Sequence, residues 1–174
     1  MSILNVIKER RSVRRYKADP IPEDVLHRVL EAARFSPSGK NLQPWKFILV
    51  QDESLKQRLV AASVGQKFIA EAPVVVVACG FPERCYSRMG NYMKSWAVDV
   101  AIAFEHLMLQ AQEEGLGTCW IGAFEEEGVK SILNVPEEVK VLALTPLGYP
   151  DEKPVSRGRK SLEEIVSYNS YQNQ

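Results

Sequence analysis

Apolar residues change their spacing several times along the chain, and each change predicts an element. Ser2 to Arg10 places Ile3, Val6 and Ile7 on one side of a short helix. After a turn at Ala18-Asp19-Pro20, Pro22 to Phe35 carries Leu26, Val29, Leu30 and Ala33 at helical spacing, with a proline at the start. Ser36 to Pro44 holds turn formers and is closed by proline, so it reads as a loop. Trp45 to Val50 reads as a strand and Ser54 to Ala62 as a helix. Pro73 to Cys79 is an unbroken β-branched run, the pattern of a strand buried on both faces. Phe81 to Lys94 has no clear period and mixes Tyr86, Met89, Tyr92 and Met93 with charges, which predicts a loop or lid. Ser95 to Glu114 is a long helix, apolar on almost every side in its middle. Such a helix must be covered all round, and in a chain this small a second subunit is expected to supply part of the cover. Gly115 and Gly117 end it. A short strand at Thr118 to Ile121, a helix at Glu125 to Leu133 and a strand at Val139 to Leu147 follow. A short helix at Ser161 to Val166 and a polar, extended end at Ser167 to Gln174 complete the chain. The expected class is α+β, with about four strands and five or six helices, in one domain spanning 1–174.

Composition narrows the function classes. Lys plus Arg and Asp plus Glu are both 22, so the net charge is zero and gives no general pull towards nucleic acid or an anionic membrane. Cys79, Cys85 and Cys119 are odd in number and lack C-x-x-C spacing, which argues against a disulfide framework or a zinc knuckle and for reduced thiols in the cytoplasm. His27 and His106 show no ligand pattern, so no metal is expected. Met1 to Arg15 reaches charge too early for a signal peptide, and Trp96 to Ala111 is too short and polar for a membrane span.

Four segments carry candidate chemistry. Arg10-Arg11-Ser12-Val13-Arg14-Arg15-Tyr16 offers guanidinium forks and a hydroxyl, a phosphate-binding set, although basic runs taken alone are usually solvated turns. Arg157-Gly158-Arg159-Lys160, near the other end, has the same two readings. Together the clusters fit one phosphate held from two sides. Ser36 to Gln43 contains Asn41 and Gln43, whose amides match the acceptor–donor–acceptor edge of a flavin or, alternatively, cap their own turn. In Gly115 to Phe124, helix termination explains the first two glycines, whereas Gly122 would let a planar ligand approach the backbone. This is no dinucleotide fingerprint, so a Rossmann site is disfavoured. Asp99 reads as a satisfied structural carboxylate and forms no acid/base pair with Glu105.

In order and spacing, R-R-S-V-R-R-Y, S-P-S-G-K-N-L-Q-P-W-K-F, the helix from Trp96, G-L-G-T-C-W-I-G-A-F, L-G-Y-P and R-G-R-K resemble the FMN-dependent nitroreductase family, nearest to its compact members. The resemblance implies a central, mostly antiparallel sheet flanked by helices in an intertwined homodimer, with a C-terminal extension and FMN at the interface. It implies FMN contacts for Arg10, Arg11, Ser12 and Arg14, and phosphate contacts for Arg157 and Arg159. Pro37, Ser38 and Gly39, with Asn41 and Gln43 in the same segment, would reach the partner's flavin. Ile121 and Gly122 would lie beside the ring. Chemistry would rest on the flavin: NAD(P)H would reduce it, Arg14 would stabilise the reduced form, and a small acceptor such as a nitroaromatic or quinone would follow in a ping-pong cycle. The rival readings are another flavin reaction (dehalogenation, enone reduction or flavin breakdown) and a non-catalytic FMN-binding module.

Overall fold

A computed structural model describes residues 2–171. The elements, in chain order, are α1 (Ile3–Glu9), α2 (Glu23–Arg34), β1 (Trp45–Val50), α3 (Glu53–Ala62), β2 (Val74–Gly80), α4 (Trp96–Glu113), β3 (Gly117–Thr118), α5 (Glu126–Leu133) and β4 (Lys140–Gly148). The sheet has the order β1-β2-β4-β3, and every strand pairing is antiparallel.

The run Val74-Val75-Val76-Val77 sits mid-sheet, where β-branched side chains pack well on a pleated surface, and all seven residues of β2 are buried. Alternation splits its side chains between two layers. Val74, Val76 and Ala78 join Val29 and Ala33 of α2 and Val100, Phe104 and Leu107 of α4. Val75, Val77 and Cys79 join Leu59 of α3, Val129 of α5 and Ile69. A bulge in β4 keeps both layers filled. Ala78 pairs with Ala143 but Cys79 with Val141, so Leu142 is the extra residue. Leu142 and Ala143 therefore both serve the α4 layer, while Val141 and Leu144 serve the other.

The helix edges follow local chemistry. Ser2 caps α1 and Asp52 caps α3, each accepting a backbone N–H three residues on. Asn134 closes α5 in the left-handed conformation.

Three expectations shift. The segment Thr118 to Ile121 is not a continuous strand: β3 stops at Thr118, and Ile121 makes a separate bridge to Leu144. Ser161 to Val166 forms a turn with an Ile165 N–H to Leu162 carbonyl bond, and no helix. Six residues are too few to hold a helix without packing, and every residue from 161 to 166 is exposed. Residues 167–171 include a bend over 168–170, and residues 172–174 of the expected polar end lie outside the described residues.

Candidate functional site

The basic segment after α1 is built into the sheet edge. Ser12 bridges Thr118 in parallel, and the Val13 N–H donates to the Thr118 carbonyl at 2.9 Å. Val13 lies so close to Gly117 that a Cβ there would meet it at 2.9 Å, which explains that glycine. On the far side, the Lys17 N–H donates to the Tyr149 carbonyl and the Asp151 N–H to the Arg15 carbonyl, both at 2.9 Å. The Arg14 N–H donates to the Glu152 carboxylate. Tyr16 anchors the segment from within: its hydroxyl donates to the Val13 carbonyl at 2.6 Å, and burial raises its pKa far above the ordinary range.

This zipper carries the chain beyond β4 back past its own beginning. Arg10, Arg11, Ser12 and Arg14 then face Arg157 and Arg159 across a cavity of about 410 Å³, which Glu152 and residues 154–156 also line. The two basic clusters thus share one pocket. Their guanidinium groups are not equivalent. Arg11 donates to the Lys8 and Arg10 carbonyls at the end of α1. Arg10 lies 3.9 Å from Glu105. Among the described residues Arg14, Arg157 and Arg159 make no ion pair, so their charge is available to an anion. Cys119 adjoins this edge; burial raises its thiol pKa, against the smaller influence of Arg14.

A model of the nitroreductase family matches residues 7–73 and 60–149, which cover most of the chain. This chain belongs to the nitroreductase family. A relative described as an NADH dehydrogenase from Thermus thermophilus is 35% identical and covers 91% of both proteins. Among solved structures, the NADPH:FMN oxidoreductase of Vibrio harveyi complexed with NAD+ superposes with a TM-score of 0.89. It is 25% identical and covers 99% of this chain and 79% of that one. An iodotyrosine deiodinase bound to FMN and 3-iodo-L-tyrosine superposes at 0.84, with 26% identity over 97% of this chain and 100% of that one.

The other predicted site residues lie elsewhere. None of Pro37, Ser38, Gly39, Asn41 and Gln43 lines the arginine pocket of its own chain. Lys40, Asn41 and Gln43 hold left-handed backbone at φ of 53°, 56° and 49°, which costs non-glycine residues roughly 1–2 kcal/mol each. Internal bonds hold the turn: Ser38 Oγ accepts the Gln43 N–H at 2.9 Å, and Gln43 Nε2 donates to the Asn41 carbonyl at 3.2 Å. One amide proton of Gln43 caps the turn, and its Oε1 has no protein hydrogen bond among the described residues. The exposed Asn41 side chain has no protein hydrogen bond among the described residues.

Ile121 is buried and bonded to Leu144 in both directions, at 2.8 and 3.1 Å. Gly122 is exposed, and a Cβ there would meet only the Trp120 indole nitrogen, at 3.9 Å. Nothing in the chain itself requires glycine at that point. Trp120 packs edge-on against Phe104 of α4 at 5.0 Å, which fixes the backbone before it.

Sequence reasoning missed Glu152, the one carboxylate lining the arginine pocket among the described residues. It also missed the partners of Asp99. That side chain is buried, and its two oxygens accept from the Gly39 N–H and the Ser95 hydroxyl. Its structural role was legible from an acid on an apolar helix; partners 60 and four positions away were not.

Proposed function

We propose that this chain is an FMN-dependent oxidoreductase, working as a homodimer, that takes reducing equivalents from NAD(P)H and passes them to a small acceptor such as a quinone or nitroaromatic. The observation that carries the reading is the convergence of two distant arginine clusters on one pocket. The donor set fits the group: unpaired guanidinium forks and the Ser12 hydroxyl suit a phosphate dianion, and the open space over Gly122 suits a flat ring. Bound FMN supplies two-electron redox chemistry that side chains lack.

The chain's own residues bind and orient. Arg157, Arg159 and Ser12 hold the phosphate, with Arg10 and Arg11 beside them. Glu152 fixes the Arg14 backbone, which leaves its guanidinium free to meet negative charge at the ring. Ile121 pins the backbone that presents Gly122. Pro37, Ser38, Gly39, Asn41 and Gln43 belong to the same site when supplied by a second copy; none of them lines the pocket of its own chain.

Exposed apolar surface supports the second copy. Ala97, Val98, Ala101, Ile102 and Leu109 line an open groove on α4. Through His106 and Leu109 it adjoins a second groove bearing Ile3 and Val6. Ile3, Leu4 and Ile7 are exposed, and so are Val155, Leu162, Ile165, Tyr168 and Tyr171 after β4. We assign that last stretch as an extension of a single FMN-binding domain, laid across the partner. Among the described residues no helix is long and apolar enough to cross a membrane, and three free cysteines suit a reducing, cytoplasmic setting.

The test is the purified protein itself. It should be yellow, release FMN rather than FAD on heating, scatter light as a dimer, and oxidise NADH or NADPH when given menadione or a nitroaromatic. A colourless monomer that takes up no FMN would overturn the reading. The deiodinase neighbour makes dehalogenation the second reading. Iodide release from an iodophenol, with no turnover of quinones or nitroaromatics, would favour it.

A further inference from the structure

Asp99 joins Gly39, 60 positions away, to Ser95, four positions away at the end of the 81–94 segment. It lies on the first turns of α4, is 4% exposed, and uses both carboxylate oxygens. Oδ1 accepts the Gly39 N–H at 3.0 Å, and Oδ2 accepts the Ser95 hydroxyl at 2.6 Å. Ser95 Oγ in turn accepts the Tyr86 N–H at 3.1 Å, while the Ser95 N–H donates to the Tyr86 carbonyl at 2.8 Å. The contact is tight: a Cβ on Gly39 would meet Tyr86 Cβ at 2.8 Å and Ser95 Oγ at 3.2 Å. Lys40 Nζ lies 5.4 Å from the centre of the Tyr86 ring.

Tyr86 and Ser95 form the neck of a small projecting loop. Its tip folds on itself through the Met89–Met93 bridge, with Gly90 and Asn91 in left-handed conformations. Tyr92 at that tip is 82% exposed. Ser95 closes the neck on Tyr86, and Asp99 holds Ser95 with one oxygen and the backbone of the 37–39 turn with the other. None of these bonds joins two strands of the sheet.

We propose that Asp99 is a positioning residue that couples the cofactor-contacting turn at Pro37–Gly39 to the 81–94 segment, with Ser95 as the link. Moving either segment strains the other, so the acceptor-facing loop takes its place from the turn beside the flavin. The proposal rests on the reading under Proposed function for the turn and takes the 81–94 segment, which the sequence reads as a loop or lid, as the acceptor side; the coupling itself belongs to this chain alone and has a readout without cofactor.

The experiment compares Ser95→Ala, Asp99→Asn, Asp99→Ala and the double variant Ser95→Ala/Asp99→Ala. Amide hydrogen exchange of the cofactor-free protein is the first arm. Ser95→Ala should expose the Tyr86 amide and spare Gly39. Asp99→Ala should expose both, whereas Asp99→Asn, which keeps an acceptor oxygen, should retain protection at Gly39. The second arm uses the FMN-loaded protein with a quinone acceptor. Ser95→Ala should raise the acceptor KM about tenfold, the weight of one hydrogen bond to a carboxylate, and leave FMN affinity nearly unchanged. Asp99→Ala should change both, and adding Ser95→Ala to it should leave the acceptor KM where it was. Additive KM effects in the double variant, or unchanged exchange at Gly39 in Asp99→Ala, would overturn the coupling. Wild-type protein that binds no FMN but shows the expected exchange pattern would instead remove the oxidoreductase reading and leave the link intact.

Discussion

Replacing Arg157 by alanine isolates the anion-binding capacity of the pocket. Among the described residues its guanidinium makes no ion pair or hydrogen bond, so its loss should leave the fold of the cofactor-free protein unchanged. On binding it would gain a charge-assisted bond to phosphate, worth about 1.5–3 kcal/mol. The side chain is exposed before binding, so solvent screening places the effect at the lower end. The expected result is a roughly tenfold rise in Kd for FMN, read by quenching of flavin fluorescence, with an unchanged thermal midpoint for the apoprotein. Raising salt should weaken the wild type more than the variant, because the screening length is about 8 Å at physiological ionic strength. Arg11→Ala provides the contrast. Its guanidinium bonds the Lys8 and Arg10 carbonyls, so that change should lower apoprotein stability as well. FMN binding unchanged from the wild type in both Arg157→Ala and Arg159→Ala would refute phosphate binding by the C-terminal cluster.

Glu152→Gln should tighten FMN binding by roughly threefold or more, because it removes a negative charge from the anion pocket and keeps an acceptor for the Arg14 N–H; weaker binding would show that the charge itself organises the site. Burial pushes the Cys79 thiol up to about 11 and raises Cys119 too. Alkylation of the native protein at pH 8, followed by mass spectrometry, should therefore label the partly exposed Cys85 first. Rapid labelling of Cys79 would contradict its placement. Hydrogen bonds from Arg28 hold the Glu114 carboxyl below its ordinary range. Its contribution is present above the unfolded value of about 4.3 and is lost as pH falls through the lower folded value. Glu114→Gln should flatten that part of the acid unfolding profile, and an unchanged profile would remove the pair from the acid response.

The elements with strong local signals were legible in the sequence. The β-branched run at Val74 to Val77 could fill both faces of a sheet and does. The apolar girth of α4 demanded more cover than the chain supplies, and a groove remains along Ala97, Ala101 and Ile102. Ser161 to Val166 had a helical composition, but it meets no packing surface and stays a turn. The bulge at Leu142 left no mark in the pattern, because it depends on the register of β2. At the site, the arginines were visible as residue types. Their meeting was expected from the chemistry of one phosphate, but the means was not legible, since it arises from bonds between residues 14–17 and 149–152. Gln43 reads as a ligand contact by residue type alone; that the turn around it uses one of its amide protons internally depends on left-handed backbone that the sequence does not announce.

The central claim is that this nitroreductase-family chain binds FMN in the arginine pocket and turns it over with a nicotinamide. The most direct measurement mixes the FMN-loaded protein with NADH and, separately, NADPH in a stopped-flow cell without oxygen, and then adds a quinone. At least one nicotinamide should bleach the visible absorbance of the bound flavin, the quinone should restore it, and steady-state double-reciprocal lines should be parallel. A bound flavin that neither nicotinamide bleaches would contradict the claim.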